Sequence, residues 1–248
     1  MVEGFVLLLN EKVDKLTAWL ETKLEETGAK SFIVGLSGGV DSAVIAGLCK
    51  HVRPNDTYGV VMPCHSDPND ARYGKMVADA FDIPVKEVVL DEVFDTLVTK
   101  LTDEPYESNK RDLTFANIKP RLRMTTLYFY ASKYGGLVVG TGNKAELTVG
   151  FFTKYGDGGC DLLPIANLVK YEVFEMAKYL GVPQPIIDKK PSAGLWYDHD
   201  DEEEMGVTYQ ELDHYILTGE GTPKVKEIVE KLHRKSEHKR NMPPIPPE

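Results

Sequence analysis

The sequence has few cysteines, no long apolar run and no excess of basic residues, and each absence excludes a class of protein. Its 248 residues include Cys49, Cys64 and Cys160 and no CxxC pair, so neither a disulfide framework nor a zinc site is predicted. We expect reduced thiols that serve as packing groups. No stretch approaches the roughly 20 apolar residues that span a bilayer, and residues 1–9 lack the basic region and cleavage site of a signal peptide. These absences predict a cytoplasmic protein with no membrane association.

The charge balance bears on possible partners. The formal net charge is −10, whereas a nucleic-acid-binding surface needs a basic stripe that neutralises many phosphates. We therefore expect no nucleic-acid partner, and any phosphate ligand must meet local cations. The composition, 42% hydrophobic and 27% charged, is that of a globular enzyme, and 248 residues can bury one large core. We interpret 1–248 as a single domain.

Strand and helix patterns alternate along the chain. Apolar residues at intervals of three to four precede Gly28 and predict a first helix that ends at this glycine. Strands alternating with helices indicate a doubly wound parallel sheet, a Rossmann-like α/β fold with helices on both faces. The strand patterns cover Ser31–Leu36, Tyr58–Met62, Val85–Leu90 and Leu137–Gly140.

The second half of the chain contains two polar segments between helices. Pro120 is predicted at the first position of a helix, because proline has no N–H to offer there. Thr141–Asp161 is rich in glycine and charge and lacks helical periodicity, which indicates a functional loop. Asp198–Glu204 is strongly acidic and is either a solvated loop or the start of a helix. Thr222 and Pro223 predict the N-cap and first residue of a last helix.

The sharpest motif follows the first strand pattern. Its two glycines let the backbone approach a ligand, its serine hydroxyls can donate, and the following helix N-terminus favours an anion. It fits neither GxGxxG nor GxxxxGK[ST], so it is neither the dinucleotide fingerprint nor the Walker loop. The motif predicts a phosphate cradle formed by Gly35, Leu36, Ser37, Gly38, Gly39, Val40, Asp41 and Ser42.

Asp41 is an anion within this phosphate cradle. A carboxylate there repels phosphate unless a cation lies between them, and Mg²⁺ held by one or two carboxylates and by phosphate oxygens resolves the conflict. The alternative is an acidic residue in the first helical turn, stabilised by the helix dipole.

The Ser-Gly-Gly-x-Asp-Ser string resembles the pyrophosphate loop of the N-type ATP pyrophosphatases, whose fold is the adenine nucleotide alpha hydrolase-like one. That superfamily cleaves ATP between the α and β phosphates and leaves AMP on a carbonyl or carboxyl group. Further strings look like the signature blocks of the NAD synthetase family, in the expected order over nearly the whole chain. They are Asn117–Arg123, Gly140–Glu146, Gly150–Ile165, Pro191–Trp196 and His238–Arg240.

The resemblance implies roles for individual residues, and Asp41 and Glu146 match Mg²⁺ ligands. The positions that match ATP contacts, besides the loop Gly35–Ser42, are Thr141, Lys170 and Ser192. The positions that match deamido-NAD contacts are Arg121, Lys154, Asp161, His238 and Lys239. Each cation taken alone is more typical of a solvated surface residue, but their occurrence together inside the signature blocks favours the binding roles. Tyr197–Asp200 departs from the family's Gly-Gln-Thr-like tripeptide, which leaves the behaviour of that loop open.

The implied reaction is the ATP-dependent amidation of deamido-NAD by ammonia, the final step of NAD biosynthesis. AMP transfer to the nicotinate carboxylate creates a mixed anhydride and releases pyrophosphate, and ammonia then displaces AMP. Ammonium needs an anionic pocket that accepts its proton, for which Asp157 is the candidate, the alternative being a structural turn aspartate. The length leaves no room for a glutamine amidase domain, so the expected donor is free ammonia or ammonia from a separate protein. The resemblance also implies a homodimer.

Two other functions fit part of the sequence. Another adenylating N-type ATP pyrophosphatase shares the cradle, but a thiolating member would want catalytic cysteines and a basic RNA surface. A non-catalytic adenine-nucleotide-binding module would need no pair of magnesium ligands. The presence of both Asp41 and Glu146 therefore favours the enzyme.

Overall fold

The fold is described by a computed structural model covering residues 2–107, 112–192, 194 and 200–247. Of the divergent segment at 197–200, only Asp200 lies within these ranges, as do Pro191, Ser192 and Gly194 of the preceding signature block. No helix in the described part of the chain has the length and apolar character needed to cross a bilayer.

Four parallel strands form the central sheet. They are β1 (Ser31–Gly35), β2 (Thr57–Val61), β3 (Val85–Glu87) and β4 (Gly136–Val139). Their order across the sheet is β3-β2-β1-β4, with Phe32 opposite Thr57 on one side and Leu137 on the other. The parallel α/β fold predicted from the alternating patterns is confirmed.

Helices connect and flank the strands. They are α1 (Val2–Thr27), α2 (Val40–Val52), α3 (Pro68–Ala80), α4 (Asp91–Thr102), α5 (Leu113–Ala116), α6 (Ile118–Tyr134), α7 (Lys144–Val149), α8 (Lys170–Leu180), α9 (Gln184–Ile187), α10 (Asp201–Met205), α11 (Tyr209–Thr218), α12 (Pro223–Lys235) and α13 (Glu237–Arg240).

Both faces of the sheet are covered, because consecutive residues of a strand point to opposite faces. Phe32 and Val34 of β1 pack in a core with α1, α2, α3 and α8. Ile33 packs on the other face with α4 and α6. A third cluster, built from α7, α11 and α12 around Leu212 and Val229, lies beyond the carboxyl end of β4. The prediction of helices on both faces is confirmed.

Several boundaries differ from the sequence prediction. The segment 141–161 is not loop throughout, because α7 lies within it and is fixed by a capping box rather than by a long apolar stripe. Pro120 is the third residue of α6, not the first. Of the acidic run, residues 201–204 start a helix, with Asp200 accepting the N–H groups of Glu202 and Glu203. Thr222 and Pro223 begin α12 as predicted.

Candidate active site

A cleft of about 910 Å³ lies at the carboxyl ends of β1, β2 and β4. Ligands of open α/β sheets bind at this edge, where the connecting loops diverge. The phosphate cradle lies at one side of the cleft, and residues 150–160 with the C-terminal segment lie at the other. Thr141, Lys170, Ser192, His238 and Lys239 all line it.

The cradle is a tight turn between β1 and α2. Gly38 has φ +76°, and a Cβ at this position would lie 2.5 Å from the main-chain oxygen of Asp70, so only glycine fits. Ser42 Oγ donates to the Gly39 oxygen at 2.9 Å and lies 3.1 Å from Ser37 Oγ. The turn therefore holds both hydroxyls together at the N-terminus of a 13-residue helix, which suits an anion.

Three charged side chains meet beside the cradle. Lys170 Nζ lies 2.5 Å from Asp41 Oδ2 and 3.6 Å from Glu146 Oε1. Asn143 joins the two carboxylates, since its side-chain Nδ2 donates to Asp41 Oδ1 at 2.8 Å and its main-chain N–H donates to Glu146 Oε2 at 3.1 Å, while its Oδ1 accepts the main-chain N–H of Glu146 at 3.0 Å. The Lys170 side chain is 3% exposed, whereas those of Asp41 and Glu146 are 16% and 17% exposed, so the ammonium group is the most buried part of the cluster.

The close charges change the protonation of the cluster. Burial, together with the Asp41 carboxylate, raises the pKa of Glu146 to about 8, against the lowering effect of Lys170. Burial lowers the pKa of Lys170, but Asp41 and Glu146 more than offset this, so its pKa is raised and it stays cationic. The cluster is built to hold positive charge next to the phosphate cradle.

The cluster fits a magnesium ion whose remaining ligands come from phosphate and water. Asp41 and Glu146 turn one oxygen each toward the same ammonium group, so their oxygens converge on one cation. Across the described ranges, no group of three or more His, Cys, Asp or Glu side chains is arranged to hold a metal by itself. Mg²⁺ bound through one or two carboxylates and substrate phosphates needs no such group.

Asp157 faces the cleft from the turn after α7. Its Oδ1 accepts the Thr153 N–H at 2.9 Å, which is a structural role in the turn. The side chain retains contact with solvent in the open cleft, but the surrounding protein still raises its pKa, and the Thr153 hydrogen bond opposes this shift. Asp157 therefore combines the turn role with an accessible carboxyl group.

The cations assigned to the dinucleotide bind main-chain oxygens. Lys154 Nζ donates to the His238 oxygen at 2.6 Å, and Lys239 Nζ donates to the Gly150 and Phe152 oxygens at 2.8 and 2.7 Å. These bonds tie the C-terminal segment to the loop that carries Asp157.

Four predicted residues lie outside the lining of the cleft, namely Gly38, Arg121, Lys154 and Asp161. The Asp161 carboxylate accepts the Tyr128 hydroxyl at 2.9 Å and the Val138 N–H at 2.7 Å, so it joins α6 to β4. Arg121 is exposed and donates to the Lys154 oxygen at 3.3 Å.

Arg123 is a cleft residue that the sequence reasoning missed. Its Nε donates to the Met62 oxygen at 3.0 Å and its Nη2 to Ser66 Oγ at 2.9 Å, so the guanidinium lies beside the end of β2. Side chains two positions apart on a helix point to nearly opposite sides. This explains why Arg123 lines the cleft and Arg121 does not.

Known proteins resemble the chain over almost its full length. A family model for NAD synthase matches residues 12–243. The NH(3)-dependent NAD(+) synthetase of Carboxydothermus hydrogenoformans is 52% identical, over 95% of this chain and 97% of its own. The NMN synthetase of Francisella tularensis superposes with a TM-score of 0.90 at 36% identity, covering 96% and 98% of the two chains. The NH3-dependent NAD synthetase of Campylobacter jejuni gives 0.78 at 25% identity, covering 96% and 99%.

Proposed function

Because this chain belongs to the NAD synthase family, we propose that it is a carbon-nitrogen ligase that converts deamido-NAD to NAD with ATP and ammonia. The observation that carries the proposal is a single cleft with the phosphate cradle and the Asp41–Lys170–Glu146 cluster at one end, and Asp157 with the C-terminal cations at the other. The family match over residues 12–243 supports reading 1–248 as one synthetase unit.

The reaction has two displacements. An oxygen of the nicotinate carboxylate attacks the α-phosphorus of ATP, and the bond to the β-phosphate oxygen breaks, releasing pyrophosphate. Ammonia then attacks the carbonyl carbon of the mixed anhydride, and AMP leaves with that carboxylate oxygen. Ammonium first gives one proton to the carboxylate of Asp157, whose pKa is raised by burial, and the second proton, lost from the nitrogen as the amide forms, passes to solvent.

The cradle and the ion cluster divide the ATP contacts between them. The turn Gly35–Ser42 would hold the departing pyrophosphate on its N–H groups and hydroxyls, with Lys170, Thr141 and Ser192 completing the site. Asp41 and Glu146 would hold Mg²⁺, which when bound supplies positive charge to the phosphate oxygens.

The other end of the cleft would bind the nicotinate substrate. His238 and Lys239 line the cleft, and Arg121 and Lys154 lie next to the same segment, so their charge favours a dinucleotide pyrophosphate. Asp161 would act through the position of α6 and β4. The homodimer and the cytoplasmic location stay predictions of the sequence.

Heavy-oxygen labelling tests the chemistry. Deamido-NAD labelled in the nicotinate carboxyl group should pass one labelled oxygen to AMP and none to pyrophosphate. ADP with labelled inorganic phosphate would instead indicate γ-phosphoryl transfer and would overturn the adenylation route. Ammonium should support the reaction with purified protein, whereas robust turnover with glutamine alone would contradict a free-ammonia donor.

A second substrate is supported by one observation, the high structural similarity to an NMN synthetase. The same two displacements on nicotinate mononucleotide would give NMN, because the carboxylate that reacts is identical. Comparing kcat/KM for deamido-NAD and the mononucleotide, with ATP and ammonium saturating, separates the two. Preference for the mononucleotide would replace deamido-NAD as the substrate and leave the ATP chemistry unchanged.

A further inference from the structure

We propose that Tyr209 and Asp213 of α11 are positioning residues for Lys170. Together they keep its ammonium group at the end of the cleft that carries the phosphate cradle, which we call the phosphate end. The inference rests on the proposed function, in which Lys170 contacts ATP. It concerns two residues that none of the sequence motifs covers.

Asp213 fixes the main chain of Lys170. Lys170 is the first residue of α8, and the residue before it, Val169, has no side-chain oxygen to cap the helix. Asp213, which lies on α11, caps α8 instead. Its Oδ1 accepts the Lys170 N–H at 3.1 Å and its Oδ2 accepts the Tyr171 N–H at 2.8 Å. A carboxylate at a helix N-terminus satisfies unpaired donors and is stabilised by the helix dipole.

Tyr209 contacts the other end of the lysine. The Lys170 Nζ lies 4.8 Å from the centre of the Tyr209 ring, a cation–π contact within the buried part of the cluster. Tyr209 is itself held at two points, since its hydroxyl donates to Asp201 Oδ2 at 3.2 Å and its main-chain N–H donates to Glu202 Oε1 at 2.7 Å.

The two contacts come from one face of α11, because residues four apart on a helix are neighbours. A lysine side chain has four flexible bonds, and ordering it costs conformational entropy that a ligand would otherwise have to overcome. Here the base and the tip are held before any ligand arrives, with the ammonium 2.5 Å from Asp41 Oδ2. This preorganisation predicts tighter ATP binding than a lysine without these two contacts would give.

A matched pair of variants separates positioning from packing. Tyr209 and Tyr215 both lie on α11 in the third core cluster, but Tyr215 has its hydroxyl near Glu230 rather than its ring near Lys170. Tyr209→Leu should weaken binding of MgATP, measured by calorimetry, about tenfold, the scale of a desolvated cation–π contact. Tyr215→Leu, at the half-buried edge of the same cluster, should change it less than about twofold. Equal effects of the two variants would reduce Tyr209 to a packing residue and overturn the proposal.

Further variants keep the test decisive if Tyr209→Leu does not fold. Tyr209→Phe keeps the ring and should weaken MgATP binding less than about threefold, and Asp213→Asn, which retains one acceptor, should weaken it about fivefold. Unchanged binding in Asp213→Asn would overturn the proposal.

A double-mutant cycle gives an independent check. In Lys170→Met the ammonium is gone, so adding Tyr209→Leu, which removes the ring, should have no further effect on MgATP binding. Additive effects would mean that Tyr209 does not act through Lys170. If the unaltered protein binds no MgATP, the proposed function fails together with this inference. If the unaltered protein binds MgATP and the variants bind it with the same affinity, only this inference fails.

Discussion

The two ends of the cleft use their charges differently. At the phosphate end, charged side chains bind each other, with Lys170 between Asp41 and Glu146. At the nicotinate end, the ammonium groups of Lys154 and Lys239 bind main-chain oxygens instead. A ligand that binds at the phosphate end must compete with the ion pairs between these side chains. At the nicotinate end, the cations also hold the main chain in place.

This difference predicts different failures when a charge is removed. Removing one member of a buried ion cluster leaves another charge without its partner, which is costly. Removing a lysine that binds carbonyl oxygens releases a loop and lowers the local positive potential. Substitutions at the first end should therefore abolish chemistry, and those at the second should change substrate binding or stability.

The largest effect is expected from Asp41→Asn. This variant keeps the size of the side chain but removes a proposed magnesium ligand and the closest anion of Lys170, so turnover should fall at least about a hundredfold. Asp14→Asn, an equivalent change at an exposed position on α1, should have wild-type kcat. Near-normal turnover of Asp41→Asn with an unchanged magnesium requirement would remove Asp41 from the metal site.

Gly150→Ala tests the packing between the Asp157 loop and the C-terminal segment. Gly150 has φ +69°, and an added Cβ would lie 2.0 Å from the Ser236 Cβ, so the variant should lose about 2 kcal/mol or more of unfolding free energy. Gly28→Ala is the control, because Gly28 has φ +70° and open space around it, and should lose only about 1 kcal/mol. Equal losses of unfolding free energy for the two variants in urea titrations would show that the C-terminal segment moves to accommodate the added Cβ without an energetic penalty.

Lys154→Ala tests the nicotinate end. The KM of the nicotinate substrate should rise about tenfold, with the KM of ATP changing much less, since uniform binding to one substrate is lost. The control is Lys231→Ala on the exposed surface of α12. A larger change in the KM of ATP than in that of the nicotinate substrate would show that Lys154 acts at the phosphate end of the cleft instead.

The smallest effect concerns the pH dependence of stability. The pKa of Glu146 is raised to about 8, so its ionisation destabilises the folded protein increasingly as pH rises from about 4.5 through 8. Glu146→Gln keeps the capping acceptor without the charge, so its Tm minus that of the wild type should increase steadily between pH 5 and pH 8.5. The measurement uses ligand-free protein with a chelator. A difference that does not grow with pH would contradict the raised pKa.

The sequence predicted the features that depend on neighbouring residues. The apolar run of β1 and the glycines after it set the strand and the tight turn of the phosphate cradle through local sterics alone, and both were found where the pattern indicated them. Thr222 and Pro223 began α12 for the same reason, because caps act within one turn.

Features that depend on tertiary contacts were not predictable from the pattern. Helix α7 has six residues, too few to display periodicity, and is stabilised by packing on α11 and α12. Arg121 and Arg123 look alike in the sequence, and only the orientation of α6 decides which one reaches the cleft. The contact of Tyr209 with Lys170 joins residues 39 positions apart in the chain, and no local motif indicates it.

Asn143 has a consequence for how the protein responds to heat. Its side-chain amide is the N-cap of α7 and at the same time a hydrogen-bond partner of Asp41, because a neutral amide can donate to a carboxylate with its nitrogen while its oxygen accepts the main-chain N–H of Glu146. Fraying of the first turn of α7 and loss of the cation cluster are therefore one opening event. Amide hydrogen exchange at Glu146 should report the fraction of molecules that have lost the cation site, at temperatures where the central sheet is still intact.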